Sequence, residues 1–171
     1  MSSSLSHSDQ KNNNTSILIA DDDDDIRLAL ELLLTSHGYN IFEASNAKEV
    51  IIQAERQKPD LILLDMNFSR DTTSGQEGLA ILEQLKQHNI PIILMTAWGS
   101  VELAVTGLKQ GDCDFIEKPW HKDALLNSIE QQLNYSRLQQ EHQGYRQLLS
   151  CAANKKTIQD SDKNNPASDW I

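Results

Sequence analysis

Cysteine is nearly absent from this sequence, with Cys113 and Cys151 the only two in 171 residues. Two thiols without metal-ligand spacing make neither a structural zinc site nor a disulfide scaffold, so both read as reduced thiols. Long hydrophobic runs are missing as well. The apolar stretches end after four or five residues, whereas a membrane-spanning helix needs about 20. Residues 1–16, rich in Ser and Asn, hold no hydrophobic segment of the kind a signal peptide or anchor uses. Basic residues are outnumbered, 15 Lys and Arg against 25 Asp and Glu, for a net charge of −10. That balance disfavours direct binding to nucleic acid or to an anionic lipid surface. A soluble, cytoplasmic protein is the expectation.

What the chain does have is charge in places where charge is costly. Five consecutive aspartates, Asp21 to Asp25, follow directly on the apolar run Ile17 to Ala20. Such self-repulsion calls for a neutralising partner. Two more apolar runs end in reactive polar residues: Leu61 to Leu64 in Asp65, and Ile92 to Met95 in Thr96. A further one, Phe115-Ile116, leads through Glu117 to Lys118.

Between these runs the hydrophobic spacing changes to that of helices. The pattern predicts strand β1 over 17–20, helix α1 over about 26–36 ending near Gly38, β2 over 41–44 and α2 over 47–57 before Pro59. It continues with β3 over 61–64, a polar stretch 67–74, and α3 opened by Ser74 and Glu77 in a capping-box spacing. Then come β4 over 92–95, α4 capped by Ser100 and running to Gly111, β5 over 114–116, and α5 with Leu125, Leu126, Ile129 and Leu133. Strands alternating with helices predict an α/β fold with a doubly wound five-stranded parallel sheet. The domain is placed at 16–134, after a disordered arm at 1–15 that could bury almost nothing. Beyond it, Tyr135, Leu138, His142, Tyr145 and Leu149 keep helical spacing, but the step from Leu133 to Leu138 is five, so the apolar stripe changes face. Residues 135–150 therefore read either as a solvated helical extension or as a short dimerising coiled coil or signalling linker. Residues 151–171 read as a flexible tail.

In a parallel sheet the functional groups gather at the carboxyl ends of the strands, so Asp21, Asp22, Asp65, Thr96 and Lys118 converge on one crevice. Clustered carboxylates are stable as anions around a hard cation, and Mg2+ suits them. Such an ion beside Lys118 makes a pocket for a phosphoryl group, with Asp65 as the candidate nucleophile. Asp23, Asp24 and Asp25 read as loop and helix N-terminal residues. The histidines His7, His37, His88, His121 and His142 show no partner pattern, and Trp98 reads equally as an exposed loop residue or a lid.

Ile17-Leu18-Ile19-Ala20-Asp21-Asp22, Leu63-Leu64-Asp65-Met66, Leu94-Met95-Thr96-Ala97 and Phe115-Ile116-Glu117-Lys118-Pro119 together resemble the receiver domain of two-component response regulators. The resemblance spans about residues 16–134 and implies a flavodoxin-like sheet. It implies Asp65 as phosphoacceptor, and Asp21, Asp22, Asp65 and the Asn67 backbone carbonyl as Mg2+ ligands. Thr96 becomes the switch hydroxyl, Phe115 the aromatic coupled to it, and Lys118 the phosphate-binding ammonium before a cis Pro119. The partner it implies is a sensor histidine kinase, with two copies associating through the α4-β5-α5 face or through residues 135–150. Thr96 to Val105 and Phe115 to Trp120 look most like receivers of NtrC-type transcriptional activators, where an ATPase and a DNA-binding domain follow. Neither is in this sequence, so a fragment of such a regulator is expected. One departure is the stretch 67–75, longer than usual and without proline, which bears on the rim of the site and on kinase docking.

Two other classes compete. Asp65-Met66-Asn67-Phe68-Ser69 superficially resembles the nucleophile motif of haloacid-dehalogenase phosphatases, but Asn67 stands where that family has an acid, and the metal acids precede the nucleophile. A plain Ca2+-binding loop is disfavoured, because Asp21 to Asp25 lacks the alternating ligands and glycine of an EF-hand.

Overall fold

The computed structural model describes residues 14–67, 76–97 and 113–163. Strands β1 (Ser16–Ala20), β2 (Asn40–Ala44), β3 (Leu61–Asp65), β4 (Ile92–Thr96) and β5 (Cys113–Glu117) form one parallel sheet in the order β2-β1-β3-β4-β5. The described helices are α1 (Asp24–Ser36), α2 (Ala47–Gln57), α3 (Gln76–Leu85) with a 3-10 turn at Lys86–His88, and α5 (Lys122–Lys163). The expected α4 with its Ser100 cap, the Ser74 half of the capping box, Trp98 and most of the long stretch after Asn67 lie outside the described residues.

The short apolar runs are continuous, not alternating, because both faces of the sheet are covered. Ile17, Ile19, Leu61, Leu63, Ile93 and Met95 pack with Leu30 and Leu34 of α1 and Leu125, Ile129 and Leu133 of α5. Leu18, Ile62, Leu64 and Leu94 point the other way, onto Val50 and Ala54 of α2 and Ile81, Leu82 and Leu85 of α3. β3 and β4 are buried along their whole length. From β1 the chain goes first to β2 at one edge and then to β3 on the opposite side of β1. That reversal opens a crevice beyond the carboxyl ends of β1 and β3.

Local chemistry sets the element ends near the crevice. Asp23 is the N-cap of α1, its carboxylate accepting the N–H groups of Asp25 at 3.0 Å and Ile26 at 3.4 Å. Asp24 and Asp25 then occupy the first turn, where the helix dipole favours anions. Of the apolar residues of α1, Leu28 and Leu32 remain exposed.

Helix α5 runs to Lys163, past residue 150, where the sequence reading places a flexible tail. No glycine or proline occurs between Gly144 and Pro166, and Ala152, Ala153, Lys155 and Gln159 are good helix formers, so nothing local stops the helix. Residues from Asn134 onward form a unit separate from the sheet domain. None of the helices among the described residues is long and apolar enough to cross a membrane.

Candidate functional site

Asp21 follows β1 without a break and is fully buried. Its N–H bonds the Ala44 carbonyl at 3.2 Å. Its carboxylate accepts the Asp23 N–H at Oδ1, 2.9 Å away, and the Lys118 ammonium at Oδ2, 2.6 Å away. Asp65 closes β3 and is also buried. Its Oδ1 accepts the Asn67 N–H at 3.1 Å and lies 3.4 Å from Lys118 Nζ. Half-buried Asp22 completes the group, one carboxylate oxygen from each of Asp21, Asp22 and Asp65 lying within 4.8 Å of the others.

The reach of Lys118 across the crevice is set by the end of β5. Its N–H bonds the Thr96 carbonyl at 2.7 Å, and the bond to Pro119 is cis. Thr96 is buried at the end of β4, paired in register with Glu117. Phe115 lies on β5 opposite Leu94 and is half exposed. Every sequence-predicted site residue except Trp98, which lies outside the described residues, thus belongs to β1, β3, β4 or β5 or to the residues just after them.

The electrostatics are those of an incomplete cluster. Three carboxylates face one ammonium, which leaves two negative charges, the amount one divalent cation would cancel. Burial pushes the Asp65 carboxyl up to about 6, with Lys118 opposing that rise and the Asp21 charge adding to it. The side-chain Oδ1 of Asn67, two residues after Asp65, is buried without a hydrogen-bond donor among the described residues. The donor set is all oxygen, which fits a hard cation such as Mg2+.

Two functional residues escape the sequence reading. Arg27 donates from Nη1 to the Asp21 carbonyl at 2.8 Å, pairs with Asp24, and lies 3.7 Å from Glu43. The five aspartates are thereby divided: Asp21 and Asp22 line the site, Asp23 caps α1, Asp24 pairs with Arg27, and Asp25 stands exposed in the first turn. The available signal was that Arg27 is the lone Lys or Arg between Lys11 and Lys48 and stands one residue beyond the acidic run, after Ile26. Gly78 of α3 had no such signal. A Cβ there would meet the Met66 carbonyl oxygen at 2.7 Å and its Cα at 2.9 Å. Because those atoms are backbone and directly follow Asp65, they cannot swing aside. Gly78→Ala is expected to cost about 1 to 3 kcal/mol, outweighing the helix-propensity gain of up to about 1 kcal/mol. Urea unfolding measures this, and a neutral or stabilising substitution would show that α3 moves off β3 freely.

The family model of the response regulator receiver domain matches residues 17–130, and the chain belongs to that family. It is similar to the transcriptional regulatory protein ZraR of Escherichia coli K12, 35% identical over 109 residues that cover 63% of this chain and 24% of ZraR. To the DNA-binding transcriptional regulator NtrC of Salmonella typhimurium it is 32% identical over 118 residues, 68% of this chain and 24% of NtrC. The chain thus spans about a quarter of the length of the curated relatives it matches. Among solved structures, the receiver domain of NtrX from Brucella abortus superposes with a TM-score of 0.63 at 30% identity, covering 69% of this chain and 98% of that one. A longer NtrX structure from the same organism, in complex with ADP, gives 0.69 at 30% identity, covering 77% of this chain and 29% of that one. The doubly wound fold expected from the sequence is the fold observed, and the relatives are NtrC-type regulators. The phosphatase alternative of the haloacid-dehalogenase type finds no support in them.

Proposed function

We propose that Asp65 takes a phosphoryl group from the phosphohistidine of a sensor histidine kinase, with Mg2+ held by Asp21, Asp22, Asp65 and the backbone carbonyl of Asn67. The observation that carries the proposal is the placement of Lys118 Nζ, 2.6 Å from Asp21 and 3.4 Å from Asp65, at the reversal point of a receiver sheet. Asp65 Oδ1 accepts the Asn67 N–H and lies 3.4 Å from Lys118 Nζ, and of the two carboxylate oxygens one serves the metal and the other attacks. The carboxylate O–P bond forms as the P–N bond of phosphohistidine breaks, and the electron pair of that bond stays on the imidazole nitrogen. Bound Mg2+ would supply charge neutralisation for the transferring oxygens. Lys118 and the Thr96 hydroxyl take up the phosphoryl oxygens that point towards β4 and β5. With the carboxyl at about 6, Asp65 is largely ionised, and so nucleophilic, at neutral pH.

Once phosphorylated, Thr96 draws towards the new oxygen and Phe115 follows it, which changes the α4-β5-α5 face. The chain itself acts as a switch, with slow loss of its own phosphoryl group as its only turnover. Residues 16–134 form the receiver and 135–150 a helical linker, in a cytoplasmic protein. Two copies associate through the α4-β5-α5 face or through the linker. The names of the relatives support control of transcription, exerted through output domains outside this sequence.

A phosphotransfer assay tests the reading. An autophosphorylated histidine kinase is expected to lose label to the chain in a Mg2+-dependent, single-equivalent reaction. Repeated release of phosphate from p-nitrophenyl phosphate, many equivalents per chain, would contradict it by showing a phosphatase.

A further inference from the structure

The guanidinium of Arg27, at the end of the first turn of α1, is spread over three elements. Nη1 donates to the Asp21 carbonyl at 2.8 Å, Nη2 pairs with Asp24 of its own helix, and Nε lies 3.7 Å from Glu43 on β2. The side chain is only 15% exposed, and its charge is balanced by two acids outside the metal-facing cluster. The Asp21 carbonyl belongs to the peptide group that leads into Asp22. The next peptide group, from Asp22 to Asp23, is held at its N–H by Asp21 Oδ1, 2.9 Å away. Because each peptide group is planar, fixing both fixes the two backbone dihedrals of Asp22, and so the direction in which its carboxylate leaves the chain. Asp23 closes the circuit, capping α1 with its side chain and accepting the Arg27 N–H at its carbonyl, 3.1 Å away. Of these two restraints on Asp22, one comes from a carboxylate of the cluster and the other from Arg27.

We propose that Arg27 is a positioning residue for the cation. It holds the peptide group between Asp21 and Asp22 so that the Asp22 carboxylate faces those of Asp21 and Asp65, and Glu43 on the edge strand β2 holds Arg27 in turn. Charge and geometry pull in opposite directions here. As a nearby cation Arg27 repels Mg2+, so through space its removal tightens binding. As a restraint, its removal lets Asp22 swing away, and binding weakens. Groups that orient metal ligands from behind are worth about ten- to a hundredfold in affinity, so the restraint dominates. Lysine keeps the charge but lacks the planar fork that reaches three acceptors in three directions.

Arg27 acts in this way only if Asp22 receives the cation, so the proposal rests on the metal reading above. Calorimetric titration of the full 171-residue chain with Mg2+ alone tests it, well below the melting temperature of each variant in EDTA. Wild type is expected to bind the ion, and Arg27→Gln to bind it about tenfold more weakly. Arg27→Lys is expected to fall short of wild type despite the retained charge. Glu43→Gln is expected to lose about two- to fivefold, the size of a half-exposed ion pair. Arg27→Gln combined with Glu43→Gln is expected to be no weaker than Arg27→Gln alone. In phosphotransfer the Arg27→Gln defect is expected to appear as a raised half-saturating Mg2+ concentration and to disappear as Mg2+ saturates. An Arg27→Gln variant that binds Mg2+ as tightly as wild type, or more tightly, would overturn the proposal. So would a phosphotransfer defect that persists at saturating Mg2+ with the affinity unchanged, which would place Arg27 in kinase docking instead. Losses that add in the double variant would overturn the part given to Glu43. A wild type that binds no Mg2+ would sink the metal reading itself, and this proposal with it.

Discussion

Asp65→Asn is expected to abolish phosphoryl uptake completely and, in metal-free buffer near neutral pH, to make the protein more stable. The first effect follows from removing the carboxylate proposed to attack, which ends β3 and lies 3.4 Å from Lys118 Nζ. The second follows from the cost of burying that carboxylate. The Asp65 carboxyl stands at about 6 in the folded protein against 3.8 for the ordinary group. A group raised on folding adds stability only while it is protonated in both states, below its unfolded value. That contribution disappears as pH climbs through the folded value, so ionised Asp65 weighs against the fold above about 6. The difference is worth roughly 2 to 3 kcal/mol. Asparagine keeps the shape without the charge. Thermal melts in EDTA should therefore place Asp65→Asn above wild type at pH 7.5, with the gap closing towards pH 4. A variant that melts below wild type at both pH values would show that the carboxylate is stabilised by its partners and not strained by burial.

Mg2+ is expected to raise the melting temperature of the wild-type protein, and Asp22→Ala to remove most of that response. Asp22 is the half-buried member of the cluster, which makes it the carboxylate most available to a cation entering from solvent. Binding to the folded state alone stabilises it by about 2.7 kcal/mol when the free ion exceeds its dissociation constant a hundredfold. For a domain of this size that amounts to roughly 5 to 10 °C. Asp22→Ala should also raise the metal-free melting temperature slightly, because one of three mutually repelling carboxylates is gone. Coincident melting curves of the wild type in Mg2+ and in EDTA would mean that Lys118 alone balances the site and that no cation is held there.

Most of the site was legible because each of its residues ends or directly follows a short apolar run. Asp21, Asp65, Thr96 and Lys118 could be brought together by one topological rule, since parallel strands wound on both faces place their carboxyl ends on one side. The run Leu61 to Leu64 identified the central strand for the same reason: four successive apolar residues require both faces to be covered. What could not be read were contacts between elements far apart in the chain. Gly78 looks like an ordinary helix-weakening glycine until α3 is seen lying against the Met66 backbone. The role of Arg27 needed the three-dimensional nearness of Glu43, sixteen residues away on β2, as well as the Asp21 carbonyl. The extent of α5 was under-read for a different reason. Lys, Asn, Asp and Ser suggested a flexible linker, but composition does not distinguish a solvated tail from a solvated helix, and no glycine or proline occurs between Gly144 and Pro166.

Asp65 is the residue proposed to carry the phosphoryl group. Incubating the wild-type chain with Mg2+ and a small phosphodonor such as phosphoramidate, and following its intact mass, tests this directly. The predicted result is a single added phosphoryl group that is lost in hydroxylamine, maps to the peptide containing Asp65, and does not form in EDTA. No mass change, or a stable adduct on a residue other than Asp65, would contradict it.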